Sequence, residues 1–382
     1  MKIAQVAPLI ESVPPRLYGG TERIVSYLTE ELVRLGHDVT LFASADSITS
    51  AELVPCCTRA LRLDPMVRDI IPHFTLMIDK VRERAKEFDV FHFHIDFFHF
   101  PLFRSLAART LTTLHGRQDL ADLKPFYARF GEMPLVSISH DQRKSLPHAN
   151  FVATIHHGIP ADLHRPSFEQ GRYLAFLGRI SPEKRPDRAI RIARAAGIPL
   201  KIAAKVDKVD EDYFRNDILP LIHGPGVEFI GEINEREKAR FLGEAAALLF
   251  PVDWPEPFGL VMIEAMACGT PVLAFRCGSI PELVENGVTG KIVGSEEEAI
   301  AALPAILAYD RREVRQRFEE RFTATRMAQD YVSTYRRSMK TRTASTWPRQ
   351  LALNGGNGLA PISIEKPFVA LFEAGADPEI PT

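Results

Sequence analysis

Two carboxylates, Glu256 and Glu264, bracket the segment Glu256-Pro-Phe-Gly-Leu-Val-Met-Ile-Glu264. The pattern predicts a helix over 258–267, stopped at Gly269, with Pro257 at the first position, where its missing N–H has no partner to lose. The amides of Phe258, Gly259 and Leu260 then lie at the positive end of the helix dipole, a place for an anion. Glu256 stands at its mouth, and Glu264 about two turns along, roughly 10–12 Å by helical rise. A carboxylate so close is poorly suited to phosphate but accepts hydrogen bonds from sugar hydroxyls. Phosphate flanked by two polyols describes a nucleotide sugar. Acids near a helix start also complement its dipole with no ligand involved, so the spacing alone leaves both readings open. The flanking Pro-Phe-Gly and the Gly269-Thr-Pro-Val segment favour the first.

Other candidates fall just after strand-like runs. Gly19-Gly20 precedes a helix pattern, where backbone can approach an anion, although it lacks the G-x-G-x-x-G dinucleotide spacing. Arg179 and Lys184, in Gly178-Arg-Ile-Ser-Pro-Glu-Lys184, can neutralise a diphosphate, one as a fork and one as a point charge; salt bridges to Glu183 and Asp187 are the plainer alternative. His115, in Thr113-Leu-His-Gly116, has room beside it. His92 and His94 alternate on one strand face without a third ligand at metal spacing, and read as packed, hydrogen-bonded histidines. His156 and His157 read as structural.

These residues need a scaffold that gathers strand ends. Short apolar runs at 2–7, 38–43, 90–94, 109–114, 135–139 and 151–155 alternate with helical patterns, of which 21–35 is the clearest. A second series runs through 173–177, 200–204, 227–230, 247–250, 272–274 and 291–293, with helical patterns at 186–196, 235–246 and 258–267. Such alternation implies parallel sheets, and ligands in such sheets bind beyond the strands' carboxyl ends. The expected class is α/β, with an N-terminal Rossmann-like domain over 1–165, a second over 166–310, a helical segment over 311–337 and a loosely packed tail over 338–382.

A chain of 382 residues with net charge −2 gives no bulk attraction to nucleic acid. Arg59, Arg62, Arg68, Arg82, Arg84 and Lys86 offer at most a weak peripheral membrane contact; solvated helix faces are the plainer reading. The four cysteines lack zinc spacing. Cys268 and Cys277 read as buried, no run reaches membrane-span length, and a cytoplasmic location is expected.

Gly19-Gly20, Thr113-Leu-His-Gly116, Gly178-Arg179-x₄-Lys184, Gly231-Glu-Ile233, Glu256-Pro-Phe-Gly-x₄-Glu264 and Gly269-Thr-Pro-Val occur in an order and spacing that resemble the retaining GT-B glycosyltransferases of family GT4, over roughly residues 1–335. The resemblance implies two Rossmann-like domains facing across a cleft, with the donor held mainly by the second and a hydroxyl acceptor mainly by the first. It implies no cofactor and no metal, and UDP-sugars as the commoner donors. By that likeness Arg179 and Lys184 hold the diphosphate with help from Gly19-Gly20. Glu264 takes the ribose hydroxyls, and Glu256 with the 258–260 amides takes the transferred sugar. The Ile233 backbone meets the base, and His115 lies by the reacting carbon. Ala204-Lys205-Val206 departs from the family's glycine-rich strand end, adding a cation. A sugar-nucleotide 2-epimerase on the same fold and a non-catalytic nucleotide-sugar-binding protein are the alternatives.

Overall fold

The computed structural model describes residues 1–16 and 19–344, and only the backbone of 340–344. Residues 345–382, most of the expected tail, lie outside it.

The first sheet has seven parallel strands, β1 (Lys2–Val6), β2 (Asp38–Ser44), β3 (Glu52–Cys57), β4 (Val90–Phe93), β5 (Thr110–Leu114), β6 (Leu135–Ser137) and β7 (Phe151–Thr154), in the order β3-β2-β1-β4-β5-β6-β7. The second has six, β8 (Tyr173–Ile180), β9 (Leu200–Val206), β10 (Val227–Gly231), β11 (Ala245–Phe250), β12 (Val272–Phe275) and β13 (Gly290–Val293), in the order β10-β9-β8-β11-β12-β13. Both reverse direction beside their first strand, the doubly wound pattern that opens a crevice at the carboxyl ends. Central strands are buried along nearly their whole length, β4 and β5 completely, as parallel sheets covered by helices on both faces require. β3 escaped the sequence reading because Glu-Leu-Val-Pro-Cys-Cys is half-exposed at an edge and carries a proline, which edges tolerate.

Two expected boundaries are corrected. The helix after Glu256 begins at Leu260, with Gly259 as its N-cap at φ 85°, so Pro257 and Phe258 belong to the preceding loop. That loop is pinned from β12's side: Ser279 donates its amide to the Glu256 carbonyl at 3.0 Å and its hydroxyl to the Phe258 carbonyl at 2.9 Å. A Cβ on Gly259 would also approach Met262 Cε to 2.7 Å. The helical segment after residue 310 is two helices, Arg311–Arg321 and Ala324–Ala344, the second running past Arg337.

The Ala324–Ala344 helix crosses back to the first sheet. Met327, Tyr331 and Tyr335 are buried there with Ile24, Leu28 and Val90. Its entry is fixed by backbone pairing, Ile159 N to Phe322 O at 2.9 Å and Ala324 N to Ile159 O at 2.8 Å. Arg315 donates to the carbonyls of Ala161 and Ala267, and Arg326 to those of His156 and His157. Arginine forks thus satisfy carbonyls that the interdomain crossing would otherwise leave without partners.

A Cβ at Gly158 would lie 2.2 Å from the Thr323 carbonyl oxygen, a backbone clash that no rotamer relieves. Gly158→Ala is expected to lose about 2 kcal/mol or more of stability, read from the urea midpoint; an unchanged midpoint contradicts this account of the crossing.

Candidate functional site

A cleft of about 850 Å³ lies between the carboxyl ends of the two sheets. Every residue expected from the sequence at the donor or catalytic site lines it: Gly19 and Gly20 from the loop after β1, His115 after β5, Arg179 and Lys184 at the end of β8, Ile233 after β10, and Glu256, Phe258, Gly259, Leu260 and Glu264 after β11. Parallel sheets deliver this without fine tuning, since all their strands end on the same side.

Glu256 is buried and held from two sides. Lys184 Nζ forms a close ion pair with its Oε2, and Trp254 Nε1 donates to the same oxygen at 2.9 Å. The Lys184 ammonium also lies 5.1 Å from the Trp254 ring centroid, a cation–π contact. Trp254 therefore orients the acid. Arg179 meets Glu183 at 2.5 Å, with Asp210 at 3.5 Å and Asp207 at 3.6 Å. Lys205, the cation at the divergent strand end, lines the same wall and pairs with Asp207 at 2.8 Å.

Glu264, on the first turns of its helix, pairs with Lys238 at 2.9 Å. Burial opposes its ionisation, but Lys238, and then His164, outweigh it and hold the carboxyl below the usual 4.5. Lys238 also lies 3.6 Å from Glu235, which meets Arg23 of the Gly20–Arg34 helix at 2.5 Å, across the domain boundary. His164, Glu235 and Glu264 bring ligand atoms within 4.8 Å of one another, a spacing a metal could use. Arg23 and Lys238 already supply two positive charges to the two carboxylates, and a divalent ion would have to enter against them.

Ile233 immediately precedes a helix whose Asn234 cap accepts from the Arg236 and Glu237 amides while Glu237 reaches back to the Asn234 amide. The capping box fixes the backbone that the family likeness turns toward a base. His115 stacks on His157 with centroids 5.2 Å apart, and its Nε2 lies 2.9 Å from His94 Nδ1. Burial pushes the His115 ring down to about 3, so it is neutral at physiological pH. His92 and His94 are fully packed and hydrogen-bonded, as expected.

Sequence reasoning missed Lys238, Arg23, Glu22 and His157 on the cleft wall. Lys238 and Arg23 sit inside charged helix patterns, where each resembles any solvated cation. Glu22 is buried in the first turn of its helix, and that burial raises its carboxyl. The basic stretch near residues 59–86 is not one face: Arg62 lines the cleft and meets Glu11 at 3.0 Å, while Arg84 is taken by Glu87 and Glu52. Cys268 is buried, but Cys277 is only half-buried. No helix among the described residues is long and apolar enough to cross a membrane.

The family profile described as glycosyl transferases group 1 matches residues 164–324, and that described as glycosyltransferase family 4 matches residues 18–135. Each falls on one of the two sheets, and together they span most of the chain. This protein belongs to the family 4 (group 1) glycosyltransferases. The D-inositol 3-phosphate glycosyltransferases of Mycobacterium tuberculosis and Mycobacterium bovis are 31% identical to it over 196 residues, 46% of this chain and 40% of theirs. The matched region is thus less than half the length of these curated relatives. Among solved structures, AviGT4, a glycosyltransferase of avilamycin A biosynthesis, shares the fold with a TM-score of 0.67 at 23% identity, over 89% of this chain and 98% of its own. Sucrose-phosphate synthase from Thermosynechococcus elongatus gives 0.70 at 21%, over 90% and 100%. HepE from Anabaena, solved with UDP and glucose, gives 0.66 at 19%, over 88% and 100%. The architecture of this glycosyltransferase family member is therefore GT-B.

The Lys238–Glu264 pair has a pH signature. Because the folded carboxyl ionises below 4.5, its pairing stabilises the fold above that value and is lost as pH falls through the lowered one. Lys238→Met should cost on the order of 3 kcal/mol at neutral pH, and its melting temperature should converge on that of wild type as pH falls through the lowered value, where wild type loses the pair as well. A superimposable profile would show that the pair contributes nothing.

Proposed function

We propose that this protein transfers a glycosyl group from a nucleoside-diphosphate sugar, a UDP-sugar in first preference, to a hydroxyl acceptor, with retention at the anomeric carbon and without a metal. The observation that carries the reading is the convergence in one cleft of two cations, Arg179 and Lys184, with two buried carboxylates, Glu256 and Glu264. The pairing suits an anion flanked by hydroxyl-rich groups. HepE, solved with UDP, with UDP-glucose and with UDP and glucose, supports a uridine donor on this fold.

In this reading the diphosphate lies against Arg179, Lys184 and the Gly19-Gly20 backbone, with Lys205 as a further cation. Glu264 receives the ribose hydroxyls, the Ile233 backbone the base, and Glu256 with the Phe258–Leu260 backbone the hydroxyls of the transferred sugar. His115 lies against that sugar. The bond from the anomeric carbon to the phosphate oxygen breaks as the acceptor oxygen bonds on the same face, and the leaving phosphate oxygen takes the acceptor's proton. Negative charge growing on the diphosphate meets preorganised cations, the effect that dominates in sites of this kind. Glu256 orients rather than attacks, because a nucleophilic mechanism needs two carboxyls about 5 Å apart across one bond, and Glu256 is already held by Lys184 and Trp254.

Incubating the protein with UDP-glucose and a panel of sugar and polyol acceptors, in EDTA, tests the reading. The product should keep the donor's anomeric configuration by proton NMR, and donor alone should yield no 2-epimer. Arg179→Ala and Lys184→Ala should each lower kcat/KM by roughly 10²–10³-fold with unchanged circular dichroism. An epimer from donor alone, an inverted product, or wild-type turnover in both variants overturns it.

A further inference from the structure

Three histidines of the first domain are joined by hydrogen bonds to the helix that crosses back from the second. Gln5 on β1 stands level with His92 on β4. Its Nε2 lies 3.3 Å from the Tyr335 hydroxyl and 3.4 Å from His92 Nδ1, and its Oε1 lies 2.8 Å from His94 Nε2. Gln5, His92 and His94 are buried, so their protons are ordered by one another rather than by water.

The carboxamide sets that order. A carbonyl oxygen only accepts, so His94 Nε2 carries the hydrogen. Burial keeps His94 neutral, which leaves its Nδ1 bare. His115 Nε2, 2.9 Å away, must then be the donor, and the neutral His115 ring has no hydrogen on Nδ1. On the other side Gln5 Nε2 donates to Tyr335. That hydroxyl donates to His92 Nδ1 at 2.7 Å, and His92 Nε2 donates to Thr113 Oγ1 at 2.7 Å. Turning the carboxamide over would reverse the chain and place a hydrogen on His115 Nδ1. That nitrogen is buried with no hydrogen-bond partner among the described residues. A buried acceptor left unpaired is tolerated more readily than a buried N–H, which selects the first arrangement.

We propose that Gln5 is a positioning residue for glycosyl transfer: through His94 it fixes His115 at the cleft wall with its hydrogen on Nε2, so the buried Nδ1 carries none. This rests on the transferase reading above. As positive charge develops at the anomeric carbon, an imidazole beside it that is cationic, or that holds its hydrogen on Nδ1 and so has its dipole reversed, would raise the barrier, and a neutral ring with its hydrogen on Nε2 toward His94 does not. The Ala324–Ala344 helix becomes part of the device, because Tyr335 receives the Gln5 amide hydrogen and passes the chain on to His92.

Long-range proton–nitrogen correlation spectra of histidine-labelled protein read the His115 tautomer directly, with His115→Asn assigning the signal. Wild type should show the Nε2–H form. Gln5→Met should mix the tautomers and lower kcat about tenfold while leaving KM for UDP-glucose within about twofold. Should Gln5→Met fail to fold, Gln5→Asn, one methylene shorter and so withdrawing the carbonyl from His94 Nε2, should mix the tautomers in its place. An Nδ1–H form in wild type, pure Nε2–H in a folded Gln5→Met or, failing that variant, in Gln5→Asn, or wild-type kcat in Gln5→Met overturns the proposal. If no sugar is transferred at all, the spectrum still reports the proton's place, so loss of the transferase reading is told apart from a wrong tautomer.

Discussion

Charge compensation inside the cleft is the constraint on which the rest of this structure depends. Lys184 is matched by Glu256, Arg179 by Glu183, and Lys238 by Glu264. Buried or half-buried charges are tolerated only when paired, and these pairs hold the cleft's cations internally. In the proposed reaction a donor enters by exchange. Phosphate oxygens replace carboxylates on the cations, and sugar hydroxyls donate to the carboxylates thus released. On that proposal the same pairs would select a ligand in which phosphate and polyol adjoin.

The crossing segments hold the two domains together beside that cleft. Glu282 of the second domain accepts from the His140 and Asp141 amides of the first at 2.8 Å each, and meets His156 at 3.0 Å. Arg23 reaches Glu235 over the cleft itself. On the far side the Ala324–Ala344 helix buries Tyr331 and Tyr335 against the first sheet, so the end of the second domain is built into the core of the first. Electrostatics at the cleft and packing behind it thus restrain the same relative placement.

Much of the scaffold was legible. Twelve of the thirteen strands among the described residues follow from apolar runs, because buried parallel strands must be apolar on both faces. The 186–196 helix matches to the residue, with Pro at its start and Gly197 in a left-handed conformation at its end. What could not be read were partners contributed by distant helices. Glu264 was visible from its spacing, but Lys238 and Arg23 lie on charged helical faces whose inward turn depends on tertiary packing. The start of the 260–267 helix was misplaced because Pro257 suits a first helical position locally, whereas Ser279 ties that stretch into a loop. The histidine network was invisible for a related reason: His92 and His94 share a strand face, but Gln5 and Tyr335 meet them from opposite ends of the chain.

Thermal-shift titration with UDP-, GDP- and ADP-sugars in EDTA addresses the central claim most directly, since a ligand that binds only the folded state raises its melting temperature by mass action. The account predicts that one nucleotide series, uridine first, raises it, and that Arg179→Ala and Glu264→Ala abolish the rise while remaining folded. A melting temperature unmoved by every nucleotide sugar, or raised equally in both variants, would contradict it.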